Sequence, residues 1–263
     1  MDRNIKNRLY ISTIASDCRE EAVKYGLGLE IADFCYALNL DVNKEHYLKE
    51  VRFKMQGLER FCFHAPFAEL AACAIDPKAR ELTAYRYMQS IETAGELGIK
   101  RLVIHGGYIP FVYFPQSYVP QSVLFWKKFL DKVPDDFSIM LENVMEPDPC
   151  MLIDIVKQVS DKRLGLCLDV GHANCIVSKL PPIDWIEPML PYLKHVHLHN
   201  NSGETDLHNA LNDGNIPMEK VLDKLISLSD DITFVIENQL CAPSVSWLAE
   251  KGYLGLNSIN NKQ

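Results

Sequence analysis

Residues 165–172 read Gly-Leu-Cys-Leu-Asp-Val-Gly-His, a short apolar run that stops on a carboxylate, with a glycine and an imidazole just beyond it. The run is too short for a helix and is preceded by a helical stretch at 150–159, so it reads as one strand in an alternation of strands and helices. The same form recurs along the chain. Strands are expected at 9–14, 27–32, 60–64, 101–105, 138–142, 165–169, 195–199 and 233–237. Between them lie helical patterns with apolar residues three or four apart, among them 45–56, 77–97, 121–133, 150–159 and 218–228, with Gly26, Gly57, Gly98 and Gly165 at the joins. Eight such units, with no glycine-rich phosphate loop after the first strand, predict a closed (β/α)8 TIM barrel, an α/β fold, occupying residues 1–263 as a single domain.

Strand after strand ends on a side chain able to bind metal. The endings are His64-Ala65-Pro66, His105-Gly106, Glu142-Asn143, Asp169-Val170-Gly171-His172, His195-Val196-His197-Leu198-His199 and Glu237-Asn238. A charged group closing an apolar strand costs desolvation energy unless it is paired or coordinated. Any one of them reads equally well as a hydrogen-bonded strand terminus. Together, at strand ends that a barrel gathers at one mouth, they point to a divalent-metal site. Beyond the seventh strand comes Asp206-Leu207-His208, two ligand types that face the same way if the segment is extended.

The composition narrows the alternatives. The chain has 263 residues, 48% hydrophobic and 24% charged, without a low-complexity tract. Its polar N-terminus and the lack of a long apolar run predict a cytoplasmic protein with no membrane partner. The eight cysteines include no C-x-x-C pair and are expected to be buried free thiols rather than disulfides or metal ligands. A formal charge of −8 counts against wrapping a polyanion.

The motifs FHAPF (63–67), VIHGGY (103–108), LENV (141–144), CLDVGHAN (167–174), HVHLHN (195–200), DLHNALNDGNI (206–216) and VIEN (235–238) resemble, in order and spacing, the xylose isomerase-like barrel superfamily. That superfamily includes sugar and sugar-phosphate isomerases and epimerases and the endonuclease IV type of abasic-site nuclease. The resemblance implies that Glu142, Asp169, His197 and Glu237 are the four metal ligands of the isomerase branch. It implies that His64 and His105, with Glu142 bridging, match a further site of the nuclease branch, and that His172, Asp206 and His208 match that branch's third site. The implied cofactor is zinc or manganese, with cobalt, iron or magnesium as alternatives, and the implied state is a monomer or homodimer.

Two chemistries fit. In an isomerase or epimerase acting on a small carbohydrate, Glu142 and Glu237 act as base and acid from opposite sides and His172 holds a substrate oxygen. In a phosphodiester hydrolase all nine ligand positions are needed. The loop 144–149 is acidic and 200–205 carries Glu204 and no basic residue, which disfavours a nucleic-acid partner. The loop 106–120, with Tyr108, Phe111, Tyr113, Phe114 and Tyr118, reads equally well as a lid or wall over a small ligand and as rings that cover barrel and helix, with stacking on a nucleobase as a third use. The first expectation is therefore a metal-dependent isomerase or epimerase, the alternative a hydrolase, and the third a catalytically inactive binding barrel.

Overall fold

The computed structural model describes residues 3–175 and 177–255. Its described residues form β1 (Leu9–Ser12), α1 (Cys18–Tyr25), β2 (Gly28–Ile31), α2 (Leu38–Asp41), α3 (Lys44–Met55), β3 (Phe61–His64), α4 (Pro77–Glu96) and β4 (Arg101–His105). They continue through α5 (Pro115–Leu130), β5 (Ser138–Glu142), α6 (Cys150–Val159), β6 (Leu164–Asp169), α7 (Pro182–Met189), β7 (Leu193–Leu198), α8 (Met218–Leu228), β8 (Thr233–Ile236) and α9 (Ala242–Glu250). The eight strands pair in chain order, all parallel, and β1 closes on β8 through Leu9↔Phe234 and Ile11↔Ile236. This is the (β/α)8 barrel that the sequence predicts.

The helices cover the barrel with the faces their spacing dictates. In α8, Met218, Val221, Leu222, Leu225 and Ile226 are buried, and in α6, Leu152, Ile155, Val156 and Val159. α4 starts where Asp76 accepts a hydrogen bond from Lys78 N and Pro77 takes the first helical position. α5 begins at Pro115, six residues before the predicted start, because Pro115 is preset for a helix's first turn and the second proline, Pro120, still falls near that end. Tyr118 therefore belongs to a helix, where it is buried, and not to the loop that precedes it.

Alternation along the strands splits the interior into two sets. Residues pointing outward meet the helices in one continuous apolar core. Those pointing inward form a small cluster of Tyr10, Cys62, Val103, Met140, Cys167 and Val235 that fills the barrel lumen. Two residues further along each strand, one layer higher, stand Ser12, His64, His105, Glu142, Asp169 and Glu237. The candidate site is thus the top layer of the barrel's own packing.

Asp17, at the N-terminus of α1, ties the first unit to the last. Its carboxylate accepts from Cys241 N at 2.8 Å and Ala242 N at 2.9 Å, at the start of α9, and from the Cys241 thiol at 3.1 Å. Burial opposes the charge, but these donors hold the Asp17 carboxyl below its usual range. Asp17→Ala is expected to cost about 1 kcal/mol in urea unfolding, the usual worth of a lost helix cap. Because the folded pKa is depressed, this contribution is complete above the unfolded value near ~4 and lost as pH falls through the folded one, so wild type and variant should converge in strong acid.

Candidate metal centre

Strand register brings the predicted residues together. His105 pairs with Glu142 across β4 and β5, and Asp169 with His197 across β6 and β7. Glu142 sits at the centre and is almost wholly buried. Its Oε2 lies 3.3 Å from His64 Nε2 and 3.5 Å from His105 Nε2, and its Oε1 lies 3.3 Å from His172 Nδ1 and 3.5 Å from His197 Nδ1. His197 Nδ1 also faces Glu237 Oε2 at 3.1 Å and Asp169 Oδ2 at 3.7 Å. Glu142, Asp169, His197 and Glu237 thus form one group whose donor atoms could surround an ion, and His64, His105 and Glu142 form an adjacent one that shares the glutamate.

A third group lies beside them: His172, His199, Asp206 and His208. Asp206 Oδ2 lies 2.9 Å from His208 Nε2 and 3.2 Å from His172 Nε2. The pairing of Asp206 with His208 is as expected, but the backbone is not extended there: His208 has a left-handed φ of 50°. Its ring and backbone explain why it is held so. Nδ1 donates to Glu237 O at 2.9 Å, and Asn238 Nδ2 donates to His208 O at 3.0 Å, fixing the loop against β8.

The electrostatics of these groups suit a cation. Burial opposes the charge of Glu142, yet His197, His105 and His172 hold its carboxyl well below the usual range. Asp169 is brought to about 2, against burial, by His172 and His199. Burial likewise opposes protonation of His172 and His197, but neighbouring anions raise both well above the usual imidazole value, and His208 is raised to about 9 mainly by Asp206. Imidazoles and carboxylates here favour one another's charged forms, except that burial pushes His105 down to about 4. Several buried donor atoms nonetheless lack a hydrogen-bond partner, among them Glu142 Oε1, His197 Nδ1 and His199 Nδ1. Nitrogen and oxygen donors converging in this way, buried and incompletely satisfied, fit a divalent ion of the zinc or manganese kind.

The chain matches the family described as the Xylose isomerase-like TIM barrel over residues 21–250. It belongs to that family. An uncharacterised protein of Methanocaldococcus jannaschii is 32% identical over 213 residues, 74% of this chain and 71% of the relative. A probable endonuclease 4 of Mycobacterium leprae is 26% identical over 167 residues, 59% of this chain and 64% of the relative. Among solved structures, a D-tagatose 3-epimerase-like protein superposes with a TM-score of 0.76 at 27% identity, covering 94% of this chain and 97% of its own. A Thermus thermophilus protein soaked with zinc chloride superposes at 0.69 with 25% identity, covering 94% and 99%.

Against that family background, three residues stand in the centre that sequence reasoning did not assign. His199 is one. Glu30 and His195 are the others: Glu30 is fully buried in β2, 3.1 Å from His195 Nε2 and 3.1 Å from His197 Nε2. Both imidazoles, His197 foremost, outweigh burial and keep Glu30 strongly acidic. A carboxylate on the far nitrogen of His197 fixes that ring so that Nδ1 faces the other ligands. The signal was present in β2, where an acid interrupts an apolar strand at an inward-pointing position. Cys62 sits beside Glu30 and His195, so one cysteine does fall among ligand-type groups. Its thiol is nevertheless engaged with Arg101 O, and His195 with Glu30 and the Thr233 hydroxyl.

The loops around the mouth differ from expectation in one respect. Glu146 does not face solvent: it turns inward, where its carboxylate accepts from Val144 N at 2.8 Å and the Tyr118 hydroxyl at 2.9 Å. The acidic character of 144–149 therefore reaches the mouth less than the sequence suggests. Basic character is scarcer still. In the segments that follow the strands, 13–17, 32–37, 65–76, 106–114, 143–149, 170–181, 199–217 and 237–241, Lys179 is the one Lys or Arg. Exposed apolar side chains stand there instead, including Tyr36, Phe67, Phe111, Phe114 and Leu240. All eight cysteines are free, as predicted, although Cys150 is exposed. Among the described residues, no helix is long and apolar enough to cross a membrane.

Proposed function

We propose that the whole chain acts as one barrel and is a divalent-metal-dependent isomerase or epimerase of small carbohydrates. The observation that carries this reading is the pair of buried carboxylates, Glu142 and Glu237, in one group with Asp169 and His197. These four residues would hold the ion. When bound, a zinc or manganese ion supplies Lewis acidity to neighbouring carbonyl and hydroxyl oxygens of a ketose. Glu142 would accept the proton from the carbon beside the carbonyl, and Glu237 would serve as its counterpart in returning one on the other side. His172, whose Nδ1 lies 3.3 Å from Glu142 Oε1 and whose Nε2 lies 3.2 Å from Asp206 Oδ2, would hold a substrate oxygen. The apolar rim shields the carbon acid from bulk water.

The near absence of Lys and Arg at the mouth supports a small neutral ligand over a nucleic acid, since a duplex must be gripped by its phosphates. The likeness to a D-tagatose 3-epimerase-like protein supports the same reading. The test is carbon-bound hydrogen exchange. With zinc or manganese supplied, incubation with a panel of ketoses in deuterated water should place one deuterium beside the carbonyl of at least one sugar, read by mass spectrometry. A panel that stays unlabelled counts against the proposal.

A second reading, a phosphodiester hydrolase, is favoured by one observation: the nine expected ligand positions all fall within the three adjoining groups. Incision of a duplex containing an abasic site, weakening steeply with salt, would support it.

A further inference from the structure

We infer that the groove between α4 and α5, on the outside of the barrel, binds a small organic anion with an apolar body, at a site apart from the metal centre. The inference does not depend on which reaction the centre performs. It begins with helical spacing. Tyr85 and Met88, one turn apart, share a face of α4, and Leu124, Phe125 and Phe129 share a face of α5. These faces do not close on each other, and between them lies a cavity of about 620 Å³. Phe125 and Phe129 are buried at its base, stacked with ring centroids 5.7 Å apart, while Tyr85 and Leu124 stand more than half exposed at its sides. The volume falls within the range of roughly 300–1,000 Å³ typical of small-molecule sites. An apolar body is therefore accommodated.

Charge decides the rest of the ligand. Four charged side chains line the groove: Arg80, Glu81, Lys128 and Lys132. Glu81 is matched from outside the groove by Lys78 at 2.8 Å. Arg80 donates through Nη1 to the carbonyls of Ala74 and Ile75, which fixes the guanidinium without neutralising it and leaves Nε and Nη2 for a ligand. Lys128 and Lys132, four residues apart, make no ion pair among the described residues. Three cations thus gather over an apolar base, on a chain whose formal charge is −8. Anions are repelled by the molecule as a whole and drawn to this groove.

The same charges speak against a second copy as the occupant. An isologous contact through the groove would set Lys128 and Lys132 against their own counterparts, and like charges juxtaposed across an interface are costly. A carboxylate or phosphate head on an apolar body meets both features at once: the head reaches the lysines and Arg80, and the body lies on Phe125 and Phe129.

Two fluorescent probes separate charge from apolarity: 8-anilinonaphthalene-1-sulfonate, and N-phenyl-1-naphthylamine, which carries the same rings without the sulfonate. We expect the full chain to bind the sulfonate, less tightly as salt rises. The double variant Lys128→Ala/Lys132→Ala should weaken that binding about tenfold, the worth of two exposed charge pairs, and leave the neutral dye as in wild type. Leu124→Glu, which places an anion at the side of the groove, should weaken the sulfonate further. Displacement by decanoate or by decyl phosphate then tells which head group is taken. A sulfonate affinity that survives the lysine changes overturns the inference, as does a dye that neither amphiphile displaces. A wild type that sediments as a dimer and a Leu124→Glu protein that sediments as a monomer overturn it too, since the groove would then be covered by another copy. The deuterium test reads the centre and the dye test reads the groove, so each reading can fail alone.

Discussion

Glu142→Gln is expected to lower turnover by about 10²–10⁴-fold, the usual worth of a positioned general base, while the barrel remains folded. Glutamine keeps the shape and can still accept hydrogen bonds, but it cannot take a proton and brings no negative charge to the imidazoles around it. The side chain is central: Oε1 and Oε2 lie 3.3–3.5 Å from His64, His105, His172 and His197. The deuterium-exchange rate on whichever sugar the wild type labels is the measurement, with circular dichroism and zinc content as controls on fold and loading. Wild-type exchange in this variant would remove Glu142 from the machinery. Glu237→Gln should fall as far, because the pair acts as a unit and neither member can perform both transfers from one side.

The second large effect is on stability. Glu30→Leu is expected to cost about 3–5 kcal/mol, since removing one partner from a buried charged set leaves the others unsatisfied. Leucine fills similar space but leaves His195 Nε2 and His197 Nε2 facing an apolar wall inside the lumen. Urea unfolding should show a lower midpoint with an unchanged slope. Glu30→Gln, whose amide oxygen still accepts from one imidazole, should lose less, and in that variant zinc affinity should fall about 10–100-fold as His197 loosens. A midpoint equal to that of wild type in Glu30→Leu would mean that the lumen satisfies these rings by other means.

The barrel was legible because strands and helices announce themselves by period, and each predicted strand overlaps an observed one. The centre was legible where a ligand type closes an apolar strand, as at His64, Glu142, Asp169 and Glu237. It was obscure where a residue's role depends on what faces it across the lumen. Glu30 lies in the middle of the sequence Leu27–Ala32, and only closure of β2 against the far side of the barrel shows that it meets β7. His199 looks like one more strand-end histidine until the bare backbone of Gly171 reveals the space it occupies. Tyr118 and Glu146 were misplaced for a related reason. Each reads as a solvent-facing loop residue, but each satisfies the other's polar atom, and a buried hydroxyl–carboxylate pair has no signature along the chain.

The residues of the centre are spread from position 30 to position 237, and within any stretch of ten residues the chain offers no more than three members of one group. An unfolded or nascent chain therefore presents only weak fragments of two or three donors to passing ions. The donor sets that include Glu237 exist only once the last strand, β8, has joined the barrel, and such distant pairings are late events in folding. Loading must follow closure, so the cation is selected by a finished, rigid cage and not by whichever metal reaches the growing polypeptide first. A shortage of metal during synthesis would then delay activation without misdirecting the fold.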